Sequence, residues 1–298
     1  MKLAKAIPLT LSDSPKPVVT DYELGLLIVK IFFSKKVKGE SVDIRRKDFP
    51  DRRFVNKKIK EFCNGEIIFP QFDLPRGRAY RVMGKKQDDP GEIACSVDPF
   101  AYVSHLSAMV FHGITDRVPR IFFVSSPGPR QWSEFAAEKT KKDCKGFYAD
   151  YIAGGLPRLV KIRFNRISGI PVNTYTSIHR GAFKSVQGRA LRVSTIGRTF
   201  LDMVRKPKFC GGIRHVVEVF EDHGPRYSKL IIDEVERHGK PIEKVRTGYL
   251  LDEVCKINDE RIDGWLKYVQ RGGTRKLDPG AEYSNRYSEK WCLSKNID

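Results

Sequence analysis

The segment from Thr20 to Phe62 most narrowly limits how this chain can fold, because it encodes helices with an enforced break between them. Thr20 followed by Glu23 is a capping box. The apolar run Leu24, Leu26, Leu27, Ile28, Ile31 and Phe32 behind it predicts a largely buried helix over 21–34. Val42, Ile44 and Phe49 suggest a short second helix, which must stop before Pro50 because the proline ring disfavours helical backbone in the residue before it. Asp51 then serves as the N-cap of a third helix, where Val55, Ile59 and Phe62 recur at i, i+4 and i+7 and so share one core-facing stripe. A neighbouring stripe carries Arg53, Asn56, Lys57 and Lys60, side chains able to pair with guanine and adenine edges in a major groove or with phosphates.

Residues 66–69 and 79–82 read as two strands, joined by a loop with Pro70, Pro75 and Gly77 that presents Arg76 and Arg78 at its tip. Three helices and a basic hairpin predict a winged helix-turn-helix over residues 1–90. The polar stretch from Gly84 to Gly91 reads as a linker. Residues 91–298 then form a second domain of mixed α/β character, and the chain as a whole is expected to be α+β.

The distribution of charge sharpens this reading. Of the net +19, residues 1–90 carry +8 (20 basic, 12 acidic) and residues 155–208 carry +11 (12 basic, one acidic, Asp202), while 91–154 and 209–298 are each neutral. A merely solvated surface would spread the excess evenly; two concentrated blocks point to a polyanionic partner. Charge by itself does not choose among DNA, RNA and an anionic membrane.

In the second block, 159–164 predicts a strand with Val160, Ile162 and Phe164 on one face and Lys161 and Arg163 on the other. Residues 189–193 repeat the theme, with Leu191 and Val193 inward and Arg192 outward; Arg189 at the strand start is a further candidate contact, and 121–124 reads as another strand. Arg158, Arg166, Arg180 and Lys184 fall in the joining turns, so this surface is expected to meet phosphates rather than base edges. Ser194 or Thr195 caps a helix through Phe200 and Met203, with Arg198 and Asp202 paired at i, i+4; from Gly211 onward the pattern is mostly helical.

No run of apolar residues reaches the roughly 18 needed to span a bilayer, and the N-terminus lacks a continuous apolar segment of signal-peptide length, so a cytoplasmic protein is expected. The six cysteines stand far apart with no C-x-x-C pair, and read as reduced thiols rather than a zinc or redox site. His105 and His112 lie on a helix capped by Ser104 and closed by Gly113. Seven residues of helix separate them by about 10 Å along the axis, too far to share one ion, so they read as structural. No phosphate-loop, H-E-x-x-H or G-x-S-x-G motif is present. Neither a cofactor nor a metal is expected, and the chain is read as a non-enzyme.

The run Asp98-Pro99-Phe100-Ala101-Tyr102-Val103-Ser104-His105-Leu106-Ser107-Ala108, followed by His112-Gly113-Ile114-Thr115-Asp116, resembles the AbiEi family, the antitoxins of type IV (abortive-infection) toxin-antitoxin systems. Ser194-Thr195 with Arg198-Thr199-Phe200-Leu201-Asp202, then Gly248-Tyr249-Leu250-Leu251, then Trp291 with Asn296 extend the likeness over roughly residues 95–298. Ile196-Gly197 stands where the family has Pro-Glu. The resemblance implies a promoter-binding repressor with an N-terminal winged helix and a C-terminal antitoxin domain. It would act on double-stranded DNA at inverted repeats in its own promoter, paired with a nucleotidyltransferase toxin. Two alternatives stay open: an RNA-binding protein, and a metal-dependent nuclease using Asp233, Glu234 and Glu236.

Overall fold

A computed structural model describes residues 1–86, 88–177, 181–272 and 275–297. The elements run α1 (Leu3–Asp13), β1 (Val18–Thr20), α2 (Asp21–Ser34), β2 (Lys36–Val37), β3 (Glu40–Ser41), α3 (Arg52–Asn64), β4 (Ile68–Pro70), β5 (Ala79–Val82), α4 (Pro90–Val97), β6 (Tyr102–Val103), α5 (His105–Phe111) and β7 (Phe122–Ser126). They continue with α6 (Pro129–Asp143), α7 (Tyr148–Ala153), β8 (Arg166–Ile167), β9 (Ile170–Thr176), β10 (Phe183–Ser185), β11 (Arg192–Ser194), α8 (Ile196–Arg205), α9 (Ile213–His238), α10 (Pro241–Tyr249), α11 (Glu260–Asp263), β12 (Tyr287–Ser288) and β13 (Leu293–Ser294). The fold is α+β, about 47% helical, with parallel and antiparallel strand pairs. Among the described residues, no helix is long and apolar enough to cross a membrane.

The chain divides into two compact units, and the division does not follow the sequence boundary at residue 90. The first comprises 1–102, 125–180 and 185–192; the second comprises 103–124, 181–184 and 193–298. The stretch read as a linker leads straight into α4, capped by Asp89 and packed against β1, so the chain does not leave the first unit there.

In the first unit α2 forms where the capping box predicts it, with Thr20 accepting from the Glu23 amide and Glu23 accepting from the Thr20 amide. α3 likewise starts at its Asp51 cap and buries Val55, Ile59 and Phe62. The expected helix over 42–49 does not form. The Val42 amide donates to Lys35 and the Asp43 amide to Met1, so these backbone groups are committed to distant partners. A helix the sequence pattern did not suggest, α1, joins the core instead, burying Leu3, Ala6, Ile7 and Leu11. An internal proline such as Pro8 costs about 3 kcal/mol, and burial of three large aliphatic side chains at about 1.5–3 kcal/mol each outweighs it.

β1, β5 and β4 make an antiparallel sheet with Val19 opposite Tyr80 and Phe69 opposite Arg81. α7 supplies Tyr151, fully buried edge-to-face on Tyr22 with its hydroxyl donating to the Pro157 carbonyl at 2.8 Å. Gly25 lets that segment close on α2: a Cβ there would lie 3.2 Å from Pro157 Cδ. Residues 159–164, expected as a strand, belong to no strand or helix, and the nearby strands are β8 and β9, paired through a turn at Ser168 and Gly169.

In the second unit Val103 pairs in parallel with Val193, and Thr195 caps α8 by accepting from the Arg198 amide. α8 lies close against α9: a Cβ on Gly197 would meet the Leu230 carbonyl oxygen at 2.3 Å. No side chain has room at this position. Gly248 stands face to face with buried Trp291, whose indole donates to Asp252 at 2.9 Å. Asn296 ties the C-terminal loops through the Asp278 and Glu282 carbonyls.

A candidate nucleic-acid interface

α3 positions its polar face by elimination. With Val55, Ile59 and Phe62 buried, the helix periodicity leaves Arg52, Arg53, Asn56, Lys57 and Lys60 exposed. Among the described residues the side chain of none of these five makes a hydrogen bond or ion pair. The remaining cation of the helix, Lys58, is spent on Glu61 at 2.6 Å.

In the first unit a cleft of about 720 Å³ opens between α3, the loop preceding β5 and the segment after α7. Arg52, Asn56 and Lys60 enter it from the helix, Arg78 from the loop and Arg158 from the far side. Arg158 comes within this ring because the Arg52 amide donates to the Gly154 carbonyl at 3.1 Å, which pins the end of α7 on the start of α3. Its acidic member, Asp21, is already engaged: Arg78 Nη1 lies 3.0 Å from its carboxylate. Burial raises the Asp21 carboxyl above its ordinary value, and the Arg78 guanidinium pulls in the other direction. The cleft therefore exposes a cationic, hydrogen-bond-donating lining suited to phosphate oxygens.

The predicted residues divide into groups. Arg53, Asn56, Lys57, Lys60, Arg76, Arg158 and Arg163 are exposed in the first unit and have no side-chain partner among the described residues, and Lys184 is exposed in the second. Arg180 lies outside the described residues. Arg78 is the ion-pair partner of Asp21, and Arg166 bonds the Gly169 carbonyl at 2.9 Å in its own hairpin.

Three residues expected to face phosphates have other work. Arg189 clamps Asp89 and Glu92 at the start of α4. Arg192, expected to point outward, turns in and donates to the Cys95, Asp98 and Ala101 carbonyls, satisfying the open C-terminal end of that helix. Lys161 donates to the Pro127 carbonyl at 2.6 Å, and burial pushes its pKa down. Partners this far along the chain leave no local signal. Arg52, by contrast, stands at i, i+4, i+8 with Asn56 and Lys60, a spacing that is local and legible in the sequence.

Several charged groups of the second unit pair with one another. Arg198 and Asp202 pair at 3.0 Å, both fully buried, and Arg205 pairs with Glu243 at 2.8 Å. Asp233, Glu234 and Glu236 each face a base, namely Arg261, Arg198 and Lys244. Among the described residues no group of three His, Cys, Asp or Glu side chains is arranged to hold a metal ion. His112 Nε2 meets the Ser194 carbonyl at 2.8 Å and His105 Nδ1 meets Ser104 Oγ at 2.8 Å; burial lowers the pKa of both rings.

No protein-family model matches the chain, and no curated protein matches it. Among solved structures, the RV2827C protein from Mycobacterium tuberculosis is similar over 97% of this chain and 90% of its own, at 14% identity and a TM-score of 0.49.

Proposed function

We propose that this chain is a DNA-binding regulator that grips duplex DNA through a winged helix built from α1, α2, α3 and the β1-β5-β4 sheet. The observation that carries this reading is the exposed face of α3. Arg53, Asn56 and Lys57 stand on it with no side-chain partner among the described residues, and Arg52 and Lys60 flank them. Unpaired cations concentrated on one helix leave a strong field for a polyanion, and an amide among them offers base-edge hydrogen bonding that a purely electrostatic surface lacks. In this arrangement α3 enters the major groove, Arg76 reaches the backbone from the hairpin loop, and Arg158 holds a phosphate across the cleft.

The resemblance over residues 95–298 supports a more specific role. The chain would be the antitoxin of a type IV toxin-antitoxin pair, repressing its own promoter in the cytoplasm alongside a nucleotidyltransferase toxin. The test is direct binding of the full chain to the region upstream of its gene, to random duplex of the same length and to structured RNA, all at one salt concentration. Tighter binding to the upstream duplex supports the reading. Equal affinity for the two duplexes, or preference for RNA, overturns it.

A further inference from the structure

The segment from Arg158 to Phe164 has the composition of a strand and no strand to pair with. Val160, Ile162 and Phe164 alternate with Lys161 and Arg163, the pattern of a half-buried strand. Yet among the described residues no backbone group from 158 to 164 takes part in a backbone hydrogen bond. Ladder-forming groups are rarely left without a partner, and a row of them is a ready template for another chain.

Beside this segment, within the first unit, runs a second groove of about 730 Å³. Its far wall is α6, with Trp132 and Ala136, and α7, with Tyr148 and Ile152; its near wall carries Arg158, Lys161 and Arg163. Val160 and Tyr148 are each left 36% exposed there, apolar surface that a further strand would cover. The groove has no acidic lining residue.

We propose that this groove receives an extended, acidic segment of a partner protein, which adds itself as a strand along residues 158–164. Main-chain hydrogen bonds to the open 158–164 backbone would supply the affinity, as in other cases of strand addition. Alternate side chains of the guest would face Val160 and the aromatic wall, and its carboxylates would meet Arg158 and Arg163 at the rim. Lys161 contributes less, since the Pro127 carbonyl already holds its ammonium group. This groove adjoins the α3 cleft and shares Arg158 and Val160 with it, but its open backbone does not depend on the chain binding DNA.

The experiment uses the full chain and a capped heptapeptide alternating glutamate and valine, with a second version N-methylated at every amide so that neither edge has a main-chain donor. Amide hydrogen exchange is followed residue by residue. The expected result is slowed exchange across 159–164 with the first peptide and none with the methylated one. Arg163→Glu, an exposed position, should weaken binding by about tenfold through like-charge contact while leaving the melting temperature unchanged. Val160→Pro, which removes a ladder donor, should abolish it. Exchange at 159–164 unaffected by the peptide overturns the proposal. So does equal protection by both peptides, or protection of those amides by duplex DNA but not by peptide.

Discussion

The Arg52 amide and the Gly154 carbonyl, 102 positions apart in the sequence, are joined by a 3.1 Å hydrogen bond. That bond brings the two basic blocks to one cleft, because the chain that leaves Gly154 carries Arg158 past the exposed face of α3. The two blocks are therefore expected to act on one DNA duplex, with separable roles.

Replacing Arg53 or Lys57 by Ala should weaken binding to the upstream site more than to random DNA. The loss should be about 1–3 kcal/mol where a bidentate base contact is removed. Parallel titrations of the two duplexes measure it; equal losses on both would reduce α3 to a phosphate-binding face.

Arg158→Ala should weaken both duplexes alike and flatten the plot of log affinity against log salt by about 0.9. Stability should stay within about 0.5 kcal/mol, since Arg158 is exposed and unpaired. An unchanged slope would remove Arg158 from the interface.

Arg192→Ala should do the reverse. It strips the Cys95, Asp98 and Ala101 carbonyls of their donor, so a loss of about 1–3 kcal/mol of stability is expected, read by denaturant unfolding. The salt slope of DNA binding should not move; if it does, the side chain leaves its helix end to meet phosphate.

Arg78→Leu should raise the Asp21 carboxyl further, since Arg78 is the main influence opposing its burial. A pKa raised in the folded state means Asp21 favours folding most below its ordinary 3.8 and loses that contribution as pH rises through the folded value. The variant should therefore lose more stability than the parent between pH 4 and pH 7, with the Asp21 carboxyl resonance titrating higher by carbon NMR. An unchanged titration would show that the pair is not formed.

Gly248→Ala places a methyl 2.2 Å from the Trp291 ring and should cost at least about 1–3 kcal/mol. Trp291→Leu on that background should restore part of the loss relative to the two single variants, the mark of a direct clash. Strict additivity would mean the ring is not where the Cβ would fall.

The sequence by itself determined the parts of this protein that are settled within about four residues. The Thr20–Glu23 box, the Asp51 cap, the buried stripe of α3 and the Arg198–Asp202 pair all rest on i to i+3 or i+4 neighbours, and each stands where the spacing put it. Composition likewise determined that two stretches carry all the excess charge. What tertiary structure alone decided is which charges remain available. Arg189 and Arg192 look like the other cations of their block until α4, some 95 residues earlier, supplies carboxylates and open carbonyls that absorb them. The same holds for backbone groups. Val42 and Asp43 lose their expected helix to partners at Lys35 and Met1, while α1 forms across Pro8 because the core repays the break. A side chain's type and its near neighbours fix what it is able to bind, but only contacts between distant segments, formed under the competition for burial and hydrogen-bond partners, fix whether that capacity is still open.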